Sequence, residues 1–242
     1  MFPKILYAII FIAVNVINPF YVKAQRNGAC PKSLTLKMIA ATGYVLTGIL
    51  GILISGSCGT FAKIMLGALI CSWIGDLFMH LWQSKIFTGI GFSGFLAAHF
   101  FFISAFLNVI NTVNPGRSFF SVPEIIGVLL FDLFFIIFSL KIGTDIKGII
   151  AIPLLIYATV ITTMLCKAVL MGITLYSSGA EYGAIVTIIA GIGAFSFVAS
   201  DFTISILMFN KKHKKNYPLK MFNMVTYFIA ELLLSSLLLF VK

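Results

Sequence analysis

Two aspartates stand in runs of residues that would keep water away from them. Asp76 lies in Ser72-Trp-Ile-Gly-Asp76-Leu-Phe-Met-His80, and Asp201 lies in Ser196-Phe-Val-Ala-Ser-Asp201-Phe-Thr203. The chain has only five other acidic residues: Glu124, Asp132, Asp145, Glu181 and Glu231. An ionisable group inside a membrane span costs roughly 2.5–3.5 kcal/mol on insertion scales, and it usually faces the bundle interior or a wet cavity. Two carboxylates brought close in such a medium keep one proton between them. That leaves one acid and one anion at neutral pH, which suits protonating a substrate and steadying the cation that results. Each aspartate alone also fits a helix-end polar group or an interhelical hydrogen bond. Their similar depth, on runs heading toward the same side, favours a pair.

Other polar residues could serve such a pair. His99, in Ala97-Ala-His99-Phe-Phe-Phe102, could orient a carboxylate or bind a phosphate, and it fits a core histidine equally well. Lys32 and Lys37, at the start of the second apolar run, could meet the phosphate of a substrate. His80 follows Asp76 by one turn on the same face, near the interface, where a solvated role is expected. Glu231 lies deep in the last run with no Lys or Arg near it in sequence, so its partner must be tertiary; Asp132 is similarly deep. Tyr157, Thr162 and Thr163 form a polar strip that fits interhelical hydrogen bonding. Lys167 fits a snorkelling side chain. The cysteines Cys30, Cys58, Cys71 and Cys166 form no C-x-x-C pair and have no His at metal-ligand spacing, so neither a disulfide framework nor a zinc site is expected.

The elements that would position these residues follow from composition. Of the 242 residues, 60% are hydrophobic and only 10% are charged, and mean hydropathy is +1.09. Too little polar surface remains to cover a soluble globule. A soluble enzyme, a disordered chain and a nucleic-acid-binding domain are excluded, despite a net charge of +10. Runs of about 20 apolar residues, the length that spans a bilayer, occur at Phe2–Phe20, Leu34–Ile54, Phe61–His80, Thr88–Ile110, Phe119–Leu140, Gly148–Met171, Tyr182–Phe209 and Leu219–Val241. The expectation is an all-α membrane protein, a polytopic bundle of eight transmembrane helices forming a single domain over residues 1–242. The N-terminal Met1-Phe-Pro-Lys4, the apolar stretch after it and Val22-Lys23-Ala24 also fit a signal peptide, but Asn15, Asn18 and Pro19 suit the end of a spanning helix.

Lysines and arginines concentrate in alternate loops: Lys23, Arg26 and Lys32; Lys85; Lys141 and Lys147; and Lys211, Lys212, Lys214, Lys215 and Lys220. The opposite side offers Lys4, Lys63, Arg117 and Lys242. Odd-numbered loops are therefore expected in the cytoplasm and both termini on the far side. The Lys211–Lys215 run reads as a topology signal, and it also fits contact with anionic headgroups.

Several of these segments resemble the YhhN lysoplasmalogenase family. Ala68-Leu-Ile-Cys-Ser-Trp-Ile-Gly-Asp76 is similar to its Leu-x-Phe-Ser-x-x-Gly-Asp element, and Gly94-Phe-Leu-Ala-Ala-His99 through Phe106 to its Gly-His-x-x-Tyr-x-x-x-Phe element. Pro153-Leu-Leu-Ile-Tyr157 with Met164-Leu-Cys-Lys167-Ala168 resembles Val-Tyr…Met-x-x-Arg-Ala. Phe195 to Asp201 resembles Phe-x-x-Ser-Asp, Tyr227-Phe-Ile-Ala-Glu231 stands where Tyr-x-x-Ala-Gln is usual, and Lys32-Ser-Leu resembles Lys-Pro-Leu. The order of the matches along eight spans carries the likeness. Ser33, Ala98, Phe102, Lys167 and Glu231 depart from the pattern, and both aspartates keep it.

The resemblance implies hydrolysis of the vinyl-ether bond of a membrane lysophospholipid, a lysoplasmalogen, to a fatty aldehyde and a glycerophospho-base. It implies no metal or organic cofactor. Asp76 and Asp201 would be catalytic, and Lys32, Lys37, His99, Tyr157, Lys167 and Glu231 would contact substrate. The location would be multi-pass integral membrane, in the endoplasmic reticulum of a eukaryote or the inner or plasma membrane of a bacterium. A small proton-coupled transporter or channel is the alternative that buried acids would also suit.

Overall fold

The computed structural model describes residues 2–26, 28–81, 84–142, 151–210 and 212–241. Asp145, Lys147, Gly148, Lys211 and Lys242 lie outside the described residues. The elements are α1 (Phe2–Ala24), α2 (Pro31–Ser55), α3 (Thr60–His80), α4 (Lys85–Val113), α5 (Val122–Lys141), α6 (Ala151–Ser177), α7 (Gly183–Phe209) and α8 (Tyr217–Ser236), which tightens into a 3₁₀ turn at Leu237–Leu239. All eight helices are long and apolar enough to cross a membrane.

Local chemistry sets several of the ends. α2 starts with Pro31 at a position where a missing N–H costs nothing, and it stops at Gly56 in the left-handed region, φ +67°. α5 starts at Val122, because Ser121 and Glu124 cap it reciprocally; Phe119 and Phe120, expected inside this span, precede the helix. Asn216 caps α8 by accepting the Leu219 N–H at 3.0 Å. α1 runs a turn beyond Pro19, with Tyr21 and Val22 in the core. Asn18 donates to the Met224 carbonyl of α8 at 3.0 Å, and Tyr7 shares a 2.7 Å hydrogen bond with Ser236. The first run thus packs as a span of the bundle.

Consecutive neighbours α1–α2–α3–α4 continue through α6 and α7 to α8, which returns to α1 and α2 and closes the ring. α8 touches α1, α2, α3 and α7, so its residues meet several faces at once. α5 stands outside the ring against α6. It is tied there at three heights: Glu124 to Lys167, Asp132 to Thr159 and Thr162 at 2.8 and 3.1 Å, and the Ile142 carbonyl to Asn210 at 2.7 Å.

α3 and α4 meet along a close seam. A Cβ on Gly94 would lie 3.0 Å from the Gly75 nitrogen, so only glycine allows this approach. Small residues let backbones meet where apolar burial gives no drive to associate. The seam places Asp76 and His99, each adjoining or near one of these glycines in sequence, inside the bundle. Outward faces carry large apolar side chains such as Ile5, Ile9, Leu129 and Leu133, as lipid solvent requires. Ser33 with His80, and Asn210 with Ile142, draw four loops to one end. That end carries Lys23, Arg26, Lys32, Lys85, Lys141, Lys212, Lys214 and Lys215, and is called the basic end below.

Candidate active site

Helix polarity explains how side chains from six helices converge. Cα–Cβ bonds tilt toward a helix N-terminus. α2, α4, α6 and α8 start at the basic end, so their side chains lean back toward it, whereas those of α3 and α7 lean into the bundle. Asp76 of α3 and Asp201 of α7 therefore meet residues from helices of the opposite direction.

Asp76 is 1% exposed. Its Oδ1 lies 3.0 Å from Lys37 Nζ, and the same ammonium donates to the Asp76 carbonyl at 2.9 Å. Its Oδ2 accepts the Tyr227 hydroxyl at 2.7 Å and the Tyr44 hydroxyl at 3.0 Å. The two tyrosine oxygens are 3.4 Å apart. Every contact is a donor, and one carries a full positive charge, so the site is built to hold an anion.

Asp201 has a different shell. Its Oδ2 accepts the Tyr157 hydroxyl at 3.0 Å and lies 3.1 Å from His99 Nε2, which is also 3.3 Å from Tyr157 oxygen. His99 is fully buried and its Nδ1 has no hydrogen-bond partner. The His99 ring packs on Phe197 at 4.7 Å, and Phe197 in turn on Tyr227 at 5.5 Å. Aromatic edges thus join the Asp201 shell to the Asp76 shell.

Glu231 stands between them. It is fully buried, and neither carboxyl oxygen has a hydrogen bond of normal geometry. Ser72 and Tyr227 flank it, and the Asp76 and Asp201 carboxyls are both near it. Three carboxyl groups, from α3, α7 and α8, therefore share one aromatic-walled core. Among the described residues, only Asp76 of these three has a lysine counter-ion.

No hydrogen bond joins Asp76 to Asp201; the expected direct pair is replaced by two separately solvated carboxyls with Glu231 between them. Lys37, His99 and Tyr157 are in place, Lys37 on Asp76 and the other two on Asp201. Lys32 is exposed at the start of α2, outside the core. Lys167 lies elsewhere: its Nζ is 2.5 Å from Glu124 Oε1, it donates to the Phe119 carbonyl, and it sits over the Phe119 and Phe120 rings. Ten residues along α6 separate it from Tyr157, about 15 Å at 1.5 Å per residue. The polar strip of α6 also divides. Tyr157 turns to Asp201, while Thr162 joins Thr159 on Asp132.

Tyr44 and Tyr227 were not anticipated as ligands of Asp76. Their spacing held a clue. Tyr44 is two turns after Lys37 and Tyr227 one turn before Glu231, so each shares a helical face with a buried ionisable group.

A groove of about 350 Å³ lies on the α5 side of α7. Phe131, Phe134, Phe135, Phe138 and Phe202 contribute to its wall, with Ala158 next to Tyr157 in sequence. Its lining is almost wholly hydrocarbon, and it lies between α5, α6, α7 and α8.

No curated protein and no solved structure gives a significant match to the chain. The YhhN family profile matches residues 30–238, a stretch that contains every residue of the carboxyl core and all of α2 through α8. The chain thus belongs to the YhhN family.

Proposed function

We propose that this protein is a membrane-embedded lysoplasmalogenase that hydrolyses the vinyl ether of an alkenyl-glycerophospholipid. The observation that carries the reading is the carboxyl core on the family's own motifs, set against an apolar groove. The alkenyl chain lies in the phenylalanine groove, which brings its vinyl ether beside Asp201. Asp201 delivers a proton to the β-carbon, and His99 and Tyr157 hold its carboxyl in place. The double bond's electrons form the new C–H bond, and the ether oxygen shares the positive charge. Asp76, held as an anion by Lys37, Tyr44 and Tyr227, faces that oxocarbenium ion with fixed negative charge. Water adds to the cation and gives its proton to the Asp201 carboxylate, restoring the acid and forming a hemiacetal; collapse of the hemiacetal moves its hydroxyl proton to the leaving glycerol oxygen and releases fatty aldehyde and the glycerophospho-base. The division of labour parallels that of glycosidases, where two carboxyl groups serve a similar cation. General acid catalysis supplies about 10²–10⁴ of the rate.

Both termini are assigned to the non-cytoplasmic side, with the basic end in the cytoplasm. The test is direct. Protein purified in a non-ionic detergent, with EDTA present, is expected to release aldehyde from a lysoplasmalogen and none from the saturated alkyl analogue. Asp76→Asn and Asp201→Asn should each abolish release while extraction and thermal stability in detergent stay near normal. Full activity in Asp201→Asn refutes the assignment, and absence of aldehyde from wild type leaves the transporter alternative.

A further inference from the structure

At the basic end, α1, α2, α3, α7 and α8 and the loop before α8 enclose a narrow cavity of about 100 Å³. Its polar lining consists mainly of donors. Lys37 lines it from the buried side, with Nζ on Asp76. Lys220 is half-buried and Lys214 exposed, and both line the same space. Gln25 accepts the Tyr21 hydroxyl on Oε1 at 2.8 Å, which leaves its amide N–H groups as its contribution. No carboxylate lines the cavity, and among the described residues neither Lys214 nor Lys220 has an acidic side chain within ion-pair distance. Three lysines thus line one small space, and among the described residues a carboxylate pairs with only one of them.

Sidedness alone explains why lysines lie near the membrane face. It does not explain why two of them, from a loop and from α8, converge on a cavity that Lys37 also lines. Two uncompensated ammonium groups and an amide donor around room for one tetrahedral oxyanion form a phosphate receptor.

We propose that this cavity binds the phosphate of a glycerophospholipid headgroup, with Lys214 and Lys220 supplying the free charge and Lys37 linking the bound phosphate to Asp76. Phosphate and vinyl-ether oxygen in a lysoplasmalogen are separated by the three glycerol carbons, so an anchored phosphate fixes how far the reacting bond can enter. The receptor stands on the cavity itself; that its phosphate belongs to the lipid being cleaved rests on the proposed function.

The test uses the full chain in non-ionic detergent and three probes: a saturated alkyl lysophospholipid, the alkylglycerol of the same chain without phosphate, and inorganic phosphate. Binding is measured for wild type, Lys220→Gln, Lys220→Arg and the double variant Lys214→Gln/Lys220→Gln. The double variant should bind the lysophospholipid roughly 10-fold or more weakly, the order expected when charge-assisted hydrogen bonds are lost. Its alkylglycerol affinity should stay unchanged, and Lys220→Arg should retain wild-type lysophospholipid binding. Unchanged lysophospholipid affinity in the double variant overturns the proposal. Loss confined to inorganic phosphate also overturns it, since the cavity would then serve a free anion. If lysine-dependent binding is found but wild type releases no aldehyde from a lysoplasmalogen, the cleavage reading falls and the receptor stands. If aldehyde is released with the same KM in the double variant, the receptor falls and the cleavage reading stands.

Discussion

Replacing Lys37 by Met would remove the one ammonium among the described residues that touches Asp76, while keeping most of the side chain's length. The lost atom makes two contacts, 3.0 Å to Oδ1 and 2.9 Å to the backbone carbonyl, and the paired side chains are only 4% and 1% exposed. Removing one partner of a buried ion pair costs about 3–5 kcal/mol, most of it the penalty of the stranded charge. The hydroxyls of Tyr44 and Tyr227 remain on Oδ2, so the lower end, about 3 kcal/mol, is the appropriate figure. If the same loss appears in the transition state, turnover falls about 10²-fold, at 1.36 kcal/mol per factor of ten. The assay is a double-mutant cycle of Lys37→Met, Asp76→Asn and the combination, followed by thermal unfolding in detergent and aldehyde release. The combination should be more stable than Lys37→Met, because no charge is left stranded, and should remain inactive. Additive destabilisation in the combined variant would show that the two groups do not act as a pair. Normal turnover in Lys37→Met would refute the role of Asp76 as the fixed anion.

Tyr227→Phe removes the shorter of the two phenol contacts to Asp76, 2.7 Å against 3.0 Å for Tyr44, and should lower kcat by about tenfold, the value of one hydrogen bond to a charged group; Tyr44→Phe should do less, and the reverse order in steady-state assays would count against the geometry. Gly94→Leu forces a Cβ to within 3.0 Å of the Gly75 backbone, so it should separate α3 from α4 and lower both the melting temperature and activity, whereas Gly89→Leu, at a position with open space around its Cβ, should leave both near wild type. A reporter placed after Lys242 should read as non-cytoplasmic and one placed among Lys212–Lys215 as cytoplasmic; the opposite result would reverse the assigned orientation. In D₂O the released aldehyde should carry deuterium next to its carbonyl, and fast release of unlabelled aldehyde, with exchange controlled, would exclude protonation at carbon.

Apolar run length made the eight spans legible, because the bilayer requires each span to satisfy its own backbone hydrogen bonds. Asp76 and Asp201 stood out for the same reason. Which helices are neighbours was not legible. His99 and Tyr157 meet Asp201 because α4 packs against α6 and bypasses α5, a contact no local pattern encodes. Lys37 near the start of α2 suggests contact with a substrate phosphate, and no local pattern shows that the register of α2 on α3 also brings its ammonium onto Asp76. Lys167 illustrates the limit of reading by residue type: its motif position suggested the reaction centre, but a capping glutamate at the start of α5 claims it. Tyr44 passed as an ordinary aromatic because a phenol in an apolar run shows its hydroxyl's destination only once the opposing helix is in place.

The way α5 is held bears on how a membrane lipid could be admitted. Its ties to the ring are polar, at Glu124, Asp132 and Ile142, and between them its phenylalanines wall the groove against α7. Hydrocarbon chains wet such a surface as readily as another helix does. Spreading that wall exposes nothing to water and merely trades side-chain contacts for acyl-chain contacts, provided the polar ties hold. The groove therefore has an elastic wall on α5 and a fixed wall on α6 and α7, which pack together within the ring. Under the proposed function, hydrocarbon tails of different thickness and unsaturation would be accommodated laterally while the reacting bond stays in register with Asp201, so tolerance toward the tail and strictness toward the bond would coexist in one site.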